Sequence, residues 1–180
     1  NVLKDHVKAS YGCDALTIPN GLHLKRIANA DANRGRERWG LQGKTVVSLI
    51  GLTCSDRLYF LDALAVLRKS FPNLIFVGVG AGSMADRISK RCQELELPCV
   101  MTGWVDPMQV PDLYACTDVG LYPGDDNSYY DGACPLKVLE YTGAGKPIVA
   151  NQVAELKRLD FPNILLRPAT AEGFADGLRK

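Results

Sequence analysis

Six apolar runs that do not alternate in polarity limit what this chain can fold into. They are KTVVSLIG (44–51), NLIFVGVG (73–80), PCVMTGWV (98–105), DVGLYP (118–123), Ile148-Val149-Ala150 and NILLR (163–167). Each is followed by a segment of helical character. Strands apolar on both faces belong in a parallel sheet covered on both sides. The spacing therefore predicts a doubly wound α/β fold, with ligands bound at the carboxyl ends of the strands. The helices read as 56–71, 83–97 from a Ser83 cap, a short one ending near Tyr114–Cys116, one from Pro135, a short one after 151, and a terminal helix. Before the first core strand, residues 2–10 read as helix and DALTIP (14–19) as a short strand. IPNG (18–21) reads as a turn, and 22–42 as a polar loop with some helix.

With 180 residues and 47% hydrophobic content, the chain reads as one domain over 1–180, in which 1–43 is a lead-in segment. The helix-like FADGLRK at the end suggests a domain cut from a longer protein. A net charge of +1 argues against a nucleic-acid partner. The basic run NRGRERWG (33–40) reads as a solvated linker or helix end, with a phosphate or membrane patch as the other reading. The six cysteines have no C-x-x-C spacing, and His6 and His23 complete no zinc pattern, so no metal is expected. Cysteines scattered through apolar segments read as buried free thiols and favour a reducing, cytoplasmic setting. No run approaches the roughly 18 residues of a membrane span.

The turns after the strands hold the informative residues. Gly51 ends the first strand and Arg57 opens the next helix. GVGAGS (78–83) follows the second strand; its glycines do not fit G-x-G-x-x-G, so it reads as a tight turn rather than a nicotinamide site. Asp125-Asp126 read as solvated carboxylates, with a metal clamp as the alternative. With two histidines near the N-terminus, Ser-His-Asp chemistry is not expected.

CPLKVLEYTGAGKPIVAN (134–151) is the most instructive stretch. Pro135 reads as the first helical residue, and Gly143 and Gly145 as the stop. Lys137 then lies at the positive end of the helix dipole, where a cation is mildly unfavourable unless an anion binds there. One reading gives Lys137 to a phosphate and Glu140 to sugar hydroxyls. The other makes them an exposed i,i+3 pair worth a few tenths of a kcal/mol.

In order, IPNG, the strand ending at Gly51, LIFVGVG, TGWVD, VPDLYACTDVGLYP and PLKVLEYTGAGKPIVA resemble the C-terminal domain of a GT-B fold, and specifically the family 4 retaining glycosyltransferases. The resemblance covers nearly the whole chain and is strongest over 103–150. It implies a Rossmann-like domain that binds a nucleotide-diphosphate sugar, whose sugar passes with retention to an acceptor hydroxyl of a glycan, lipid or small molecule. It implies no cofactor and no metal. It also implies a partner, the N-terminal GT-B domain of the same chain, without which this domain is inactive and the catalytic residues are unknown. The full-length protein is expected to be cytoplasmic, with a membrane-peripheral position open. Residue by residue, the resemblance assigns the amides of Leu136 and Lys137 to diphosphate, Glu140 to ribose, and the backbone of Gly103, Trp104 and Val105 to the base.

Two positions depart from the family pattern. The family's first acid, eight positions before Glu140, falls on Gly132, with Asp131 one place off. Leu52 stands where an Arg often follows Gly51, and Arg57 falls at the position of a family Lys, for which the resemblance implies one phosphate contact. The alternatives are a non-catalytic nucleotide-sugar-binding module and a GT-B-like nucleotide-sugar epimerase.

Overall fold

A computed structural model describes residues 2–52, 54–125, 131 and 134–180. All six predicted strands are present in one wholly parallel sheet: β1 (Thr45–Ile50), β2 (Leu74–Val79), β3 (Cys99–Met101), β4 (Val119–Tyr122), β5 (Ile148–Asn151) and β6 (Ile164–Arg167). Their order is β3-β2-β1-β4-β5-β6, with register pairs such as Val47↔Phe76, Val47↔Val119 and Leu121↔Val149. Strand order reverses between β1 and β4, and this switch point is where such sheets bind ligands.

Successive residues of β1 point to opposite layers. Val47 and Leu49 join α4 (Tyr59–Arg68), α5 (Ser83–Glu94) and the terminal helix Ala171–Arg179 in one core. Val46 and Ile50 join α6 (Val110–Cys116), α7 (Leu136–Gly143) and α8 (Ala154–Leu159) in the other. The terminal helix is α9. Apolar burial on both faces is what the unbroken hydrophobic runs encode.

Several boundaries differ from expectation. DALTIP is not a strand; among the described residues no strand pairs with it to satisfy its backbone. Residues 22–42 hold two helices, α2 (Leu24–Ala28) and α3 (Ala32–Arg38), after α1 (Val2–Tyr11). Asp31 caps α3 by accepting from the amides of Asn33 and Arg34. The basic run forms most of α3 and its C-terminal end, as one of its readings had it, and two of its arginines are paired rather than solvated. Arg34 forms a bidentate pair with buried Asp112, and Arg36 binds both oxygens of Asp118. The N-cap of α5 is Gly82, not Ser83, and Ser83 makes no cap bond. Pro135 is the N-cap of α7 rather than its first residue, because its ψ of 118° is extended. Gly145, at φ +68°, closes that helix in the left-handed conformation.

The central seam has an unusual closure. β1 and β4 pair only at Val47↔Val119 and Ser48↔Gly120. Beyond that point the Tyr141 hydroxyl takes the place of β4. It accepts from the Ile50 amide (3.2 Å), donates to the Ser48 carbonyl (2.9 Å) and lies 2.8 Å from Ser48 Oγ. The phenol acts as a wedge that lets the two strand ends diverge without orphaning buried backbone groups. Tyr141→Phe is expected to lower stability by about 2–3 kcal/mol, since it strands the buried Ile50 N–H and the Ser48 carbonyl. Thermal denaturation would register this as a drop of roughly 4–10 °C.

Candidate functional site

α7 begins at the mouth opened by that wedge. The amides of Leu136 and Lys137 make no hydrogen bond to any described residue; the first amides that do are those of Val138 and Leu139, which reach the Pro135 carbonyl. Unpaired N–H groups at a helix start are suited to an anion. Leu136 itself is exposed.

Lys137 turns toward the sheet. Its Nζ donates to the Gly51 carbonyl at 2.7 Å and lies 5.9 Å from the centre of the Tyr122 ring. Gly51 adopts φ +71°, and a Cβ there would stand 3.4 Å from Nζ, so glycine serves both the turn and the approach of the amine. Burial pushes the Lys137 pKa down to about 8, partly opposed by the nearby Glu140 carboxylate. A desolvated ammonium stabilised mainly by one carbonyl dipole has unused capacity for an anion.

Glu140 leaves the same helix in another direction. Its Oε2 accepts from the Tyr114 hydroxyl at 2.6 Å. Among the described residues Lys137 and Glu140 form no ion pair with each other, so the exposed-pair reading does not hold. Each has its own partner on a different element.

Gly103 follows β3 and is bridged to Gly80, whose amide donates to the Gly103 carbonyl at 3.0 Å. This joins the turns after β2 and β3, and GVGAGS is the tight turn its glycines suggest. Trp104 is 75% exposed, whereas Val105 packs against the core on the α6–α7 side. Leu52 covers Gly80; a Cβ at Gly80 would come within 2.9 Å of its Cγ.

Arg57 binds the Asp125 carboxylate (2.8 and 3.2 Å) and lies over the Tyr59 ring. Ser55 Oγ donates to the same carboxylate oxygen at 2.6 Å. Partial burial works to raise the Asp125 pKa, but the Ser55 hydrogen bond and the Arg57 guanidinium together hold it below the ordinary value. Asp125 is thus a bonded member of the site floor, not a solvated carboxylate. Asp126 lies outside the described residues. Tyr59 and buried Asn151 add bonds to the Gly124 carbonyl and amide, at 2.7 and 2.9 Å. Asp131 accepts from the Ala154 amide at 3.0 Å, at the start of α8. Gly132 lies outside the described residues.

The structure therefore brings Gly51, Lys137 and the start of α7 together at the switch point, and engages Arg57 and Asp131 with other partners. Tyr114, Tyr141, Ser55 and Asn151 were not identified as site residues from the sequence. All six cysteines are free thiols; Cys54, Cys92 and Cys116 are buried, and burial raises the pKa of Cys54 and Cys116 to about 11. No described helix is long and apolar enough to cross a membrane.

Known proteins share this fold. TuaH of Bacillus subtilis, named for teichuronic acid biosynthesis, is 32% identical over 152 residues, which cover 82% of this chain and 37% of TuaH. A glycosyltransferase from Rickettsia africae superposes with a TM-score of 0.81 at 16% identity, over 99% of this chain and 50% of that one. Anabaena Alr3699/HepE, solved in complex with UDP and glucose, superposes with a TM-score of 0.71 at 20% identity, over 89% of this chain and 45% of that one. The chain thus spans half or less of the length of these proteins, and its sheet is the Rossmann-like half of their GT-B architecture. The family profile described as Glycosyl transferases group 1 matches residues 47–180, and this chain belongs to that family.

Proposed function

We propose that this chain is the donor-binding domain of a hexosyltransferase that moves a sugar from a nucleotide-diphosphate sugar to an acceptor hydroxyl with retention. The observation that carries the reading is the divergence of Lys137 and Glu140 from one helix start at the switch point. Lys137 and the amides of Leu136 and Lys137 receive the diphosphate. Glu140 receives the ribose hydroxyls, and the Gly103–Val105 backbone lines the base. The UDP bound by the Anabaena relative supports a nucleotide ligand for this fold. As the glycosidic bond breaks, negative charge grows on the departing diphosphate. Preoriented amides and an ammonium in a poorly solvated site stabilise that charge, so no metal is required.

The acceptor, a glycan, lipid or small molecule, binds in the N-terminal domain of the same protein, and this domain alone transfers nothing. Leu52 favours a second reading, a nucleotide-sugar-binding module without catalysis, because it places an apolar side chain where family members often carry a cation. Transfer by the full-length protein from a free sugar donor separates the two readings. It also separates both from an epimerase, which would convert the donor with no acceptor present.

The deciding experiment for donor binding is calorimetric titration of the chain with UDP, GDP, ADP and NAD in the absence of metal. Saturation by one nucleoside diphosphate and not by NAD is the expected result. Binding of NAD alone would overturn the reading.

A further inference from the structure

Tyr114 contributes nothing to the diphosphate site, yet it alone among the described residues hydrogen-bonds the Glu140 carboxylate. It lies on α6 and is 1% exposed, and its hydroxyl is 2.6 Å from Glu140 Oε2. Its ring stands edge-on to Tyr141, with centroids 4.8 Å apart and planes at 85°. Tyr141 is in turn fixed to β1 through its own hydroxyl. Burial drives the Tyr114 pKa far above its ordinary value, so the phenol keeps its proton and donates it. A carboxylate has about four lone-pair positions on its two oxygens. One is taken by a donor that cannot move, which fixes the orientation of the rest.

We propose that Tyr114 is a positioning residue for sugar recognition: by holding Oε2 of Glu140 it presents the remaining acceptor positions to the vicinal 2′- and 3′-hydroxyls of the bound nucleotide. The inference rests on the assignment of Glu140 to ribose. It makes the preference for a ribonucleotide over its dideoxy counterpart a property of the Tyr114–Glu140 pair and not of Glu140 alone.

The test titrates the chain and its variants with UDP and 2′,3′-dideoxy-UDP, or with the matching pair for the base that binds. Wild type is expected to prefer the ribonucleotide by roughly tenfold or more, the scale of hydrogen bonds to a charged group. Tyr114→Phe keeps the ring and should weaken ribonucleotide binding about 5- to 10-fold. Dideoxy binding should stay unchanged, and in a Glu140→Ala background the substitution should have no effect. Glu140→Gln supplies a check that does not depend on the Tyr114 variant folding. With its carbonyl oxygen turned to Tyr114, the amide presents an NH2 group where the carboxylate presented its second acceptor oxygen, and the ribonucleotide preference should fall.

Equal loss for both nucleotides in Tyr114→Phe, persistence of the loss in the Glu140→Ala background, or full preference in Glu140→Gln would show that Tyr114 only packs. Wild type that binds both nucleotides equally, with Glu140→Ala neutral, would instead overturn the ribose assignment and the inference with it.

Discussion

Lys137→Ala is expected to weaken nucleoside diphosphate binding by roughly 10- to 100-fold, while the affinity for the bare nucleoside changes little. The magnitude follows from one charge-assisted contact in a partly desolvated site, worth about 1.5–3 kcal/mol. A pH series makes the prediction sharper. In the free protein Lys137 titrates near 8 because burial disfavours its charge. Diphosphate affinity should therefore be high at pH 7 and fall as pH rises through 8, with wild type converging on the variant. A terminal phosphate, with a second pKa near 6, is already ionised across this window. The fold responds in the opposite sense. Unfolded lysine has an ordinary pKa of 10.5, so between about 8 and 10.5 the unfolded chain binds more protons than the folded one. The contribution of Lys137 to unliganded stability thus rises with pH across that window. Calorimetry and thermal melting on the same samples measure both. Equal losses for nucleoside and diphosphate would remove Lys137 from the phosphate site.

The largest expected loss of stability comes from a single methyl group. Gly120 on β4 faces the Tyr141 ring, and a Cβ there would lie 2.7–2.8 Å from three ring carbons. Tyr141 is fully buried and its hydroxyl is committed to Ser48 and Ile50. The ring cannot retreat without breaking those bonds, nor can β4 retreat without leaving its partners. Gly120→Ala should cost about 3 kcal/mol through overpacking. It should lower the urea midpoint with little change in slope. Gly21→Ala is the control: nothing lies within 4 Å of its added Cβ and its φ is not positive, so stability should be unchanged. A neutral Gly120→Ala would mean that the seam is softer than its hydrogen bonds imply.

What could be read from the sequence depended on the range of the interaction. Runs such as TVVSLI and LIFVGV announce themselves because burial on both faces removes the alternation of polar and apolar positions. Lys137 and Glu140 could be paired because three residues apart on a helix is a local relation. Their final directions could not, since these depend on Gly51 and Tyr114, which lie far away in sequence. Arg57 was matched to a phosphate role by position, yet in the structure it pairs with Asp125, a contact across the switch point that no spacing reveals. Gly143 reads locally as a helix stop. It also lies where a Cβ would collide with the Leu22 side chain, so its small size matters for packing the lead-in segment. The segment 22–42 reads as loop with some helix, and its two helices escape placement because they are short and are held by Arg34–Asp112 and Arg36–Asp118 rather than by a long apolar stripe.

The Tyr141 wedge also bears on the order in which the chain assembles. β1 is the first strand of this sheet to be made and stands at its centre. Its pairing with β2 joins neighbouring segments, but its pairing with β4 spans a long stretch of chain, and such non-local closures come at a high entropic cost. Until α7 arrives, the Ile50 amide and the Ser48 carbonyl remain an open edge, the kind of surface that invites pairing with another molecule. The element that covers this edge is the same one that brings Lys137 and Glu140 into place. Nascent chains that end before α7 should aggregate through β1, and chains long enough to include it should gain solubility and nucleotide affinity in a single step.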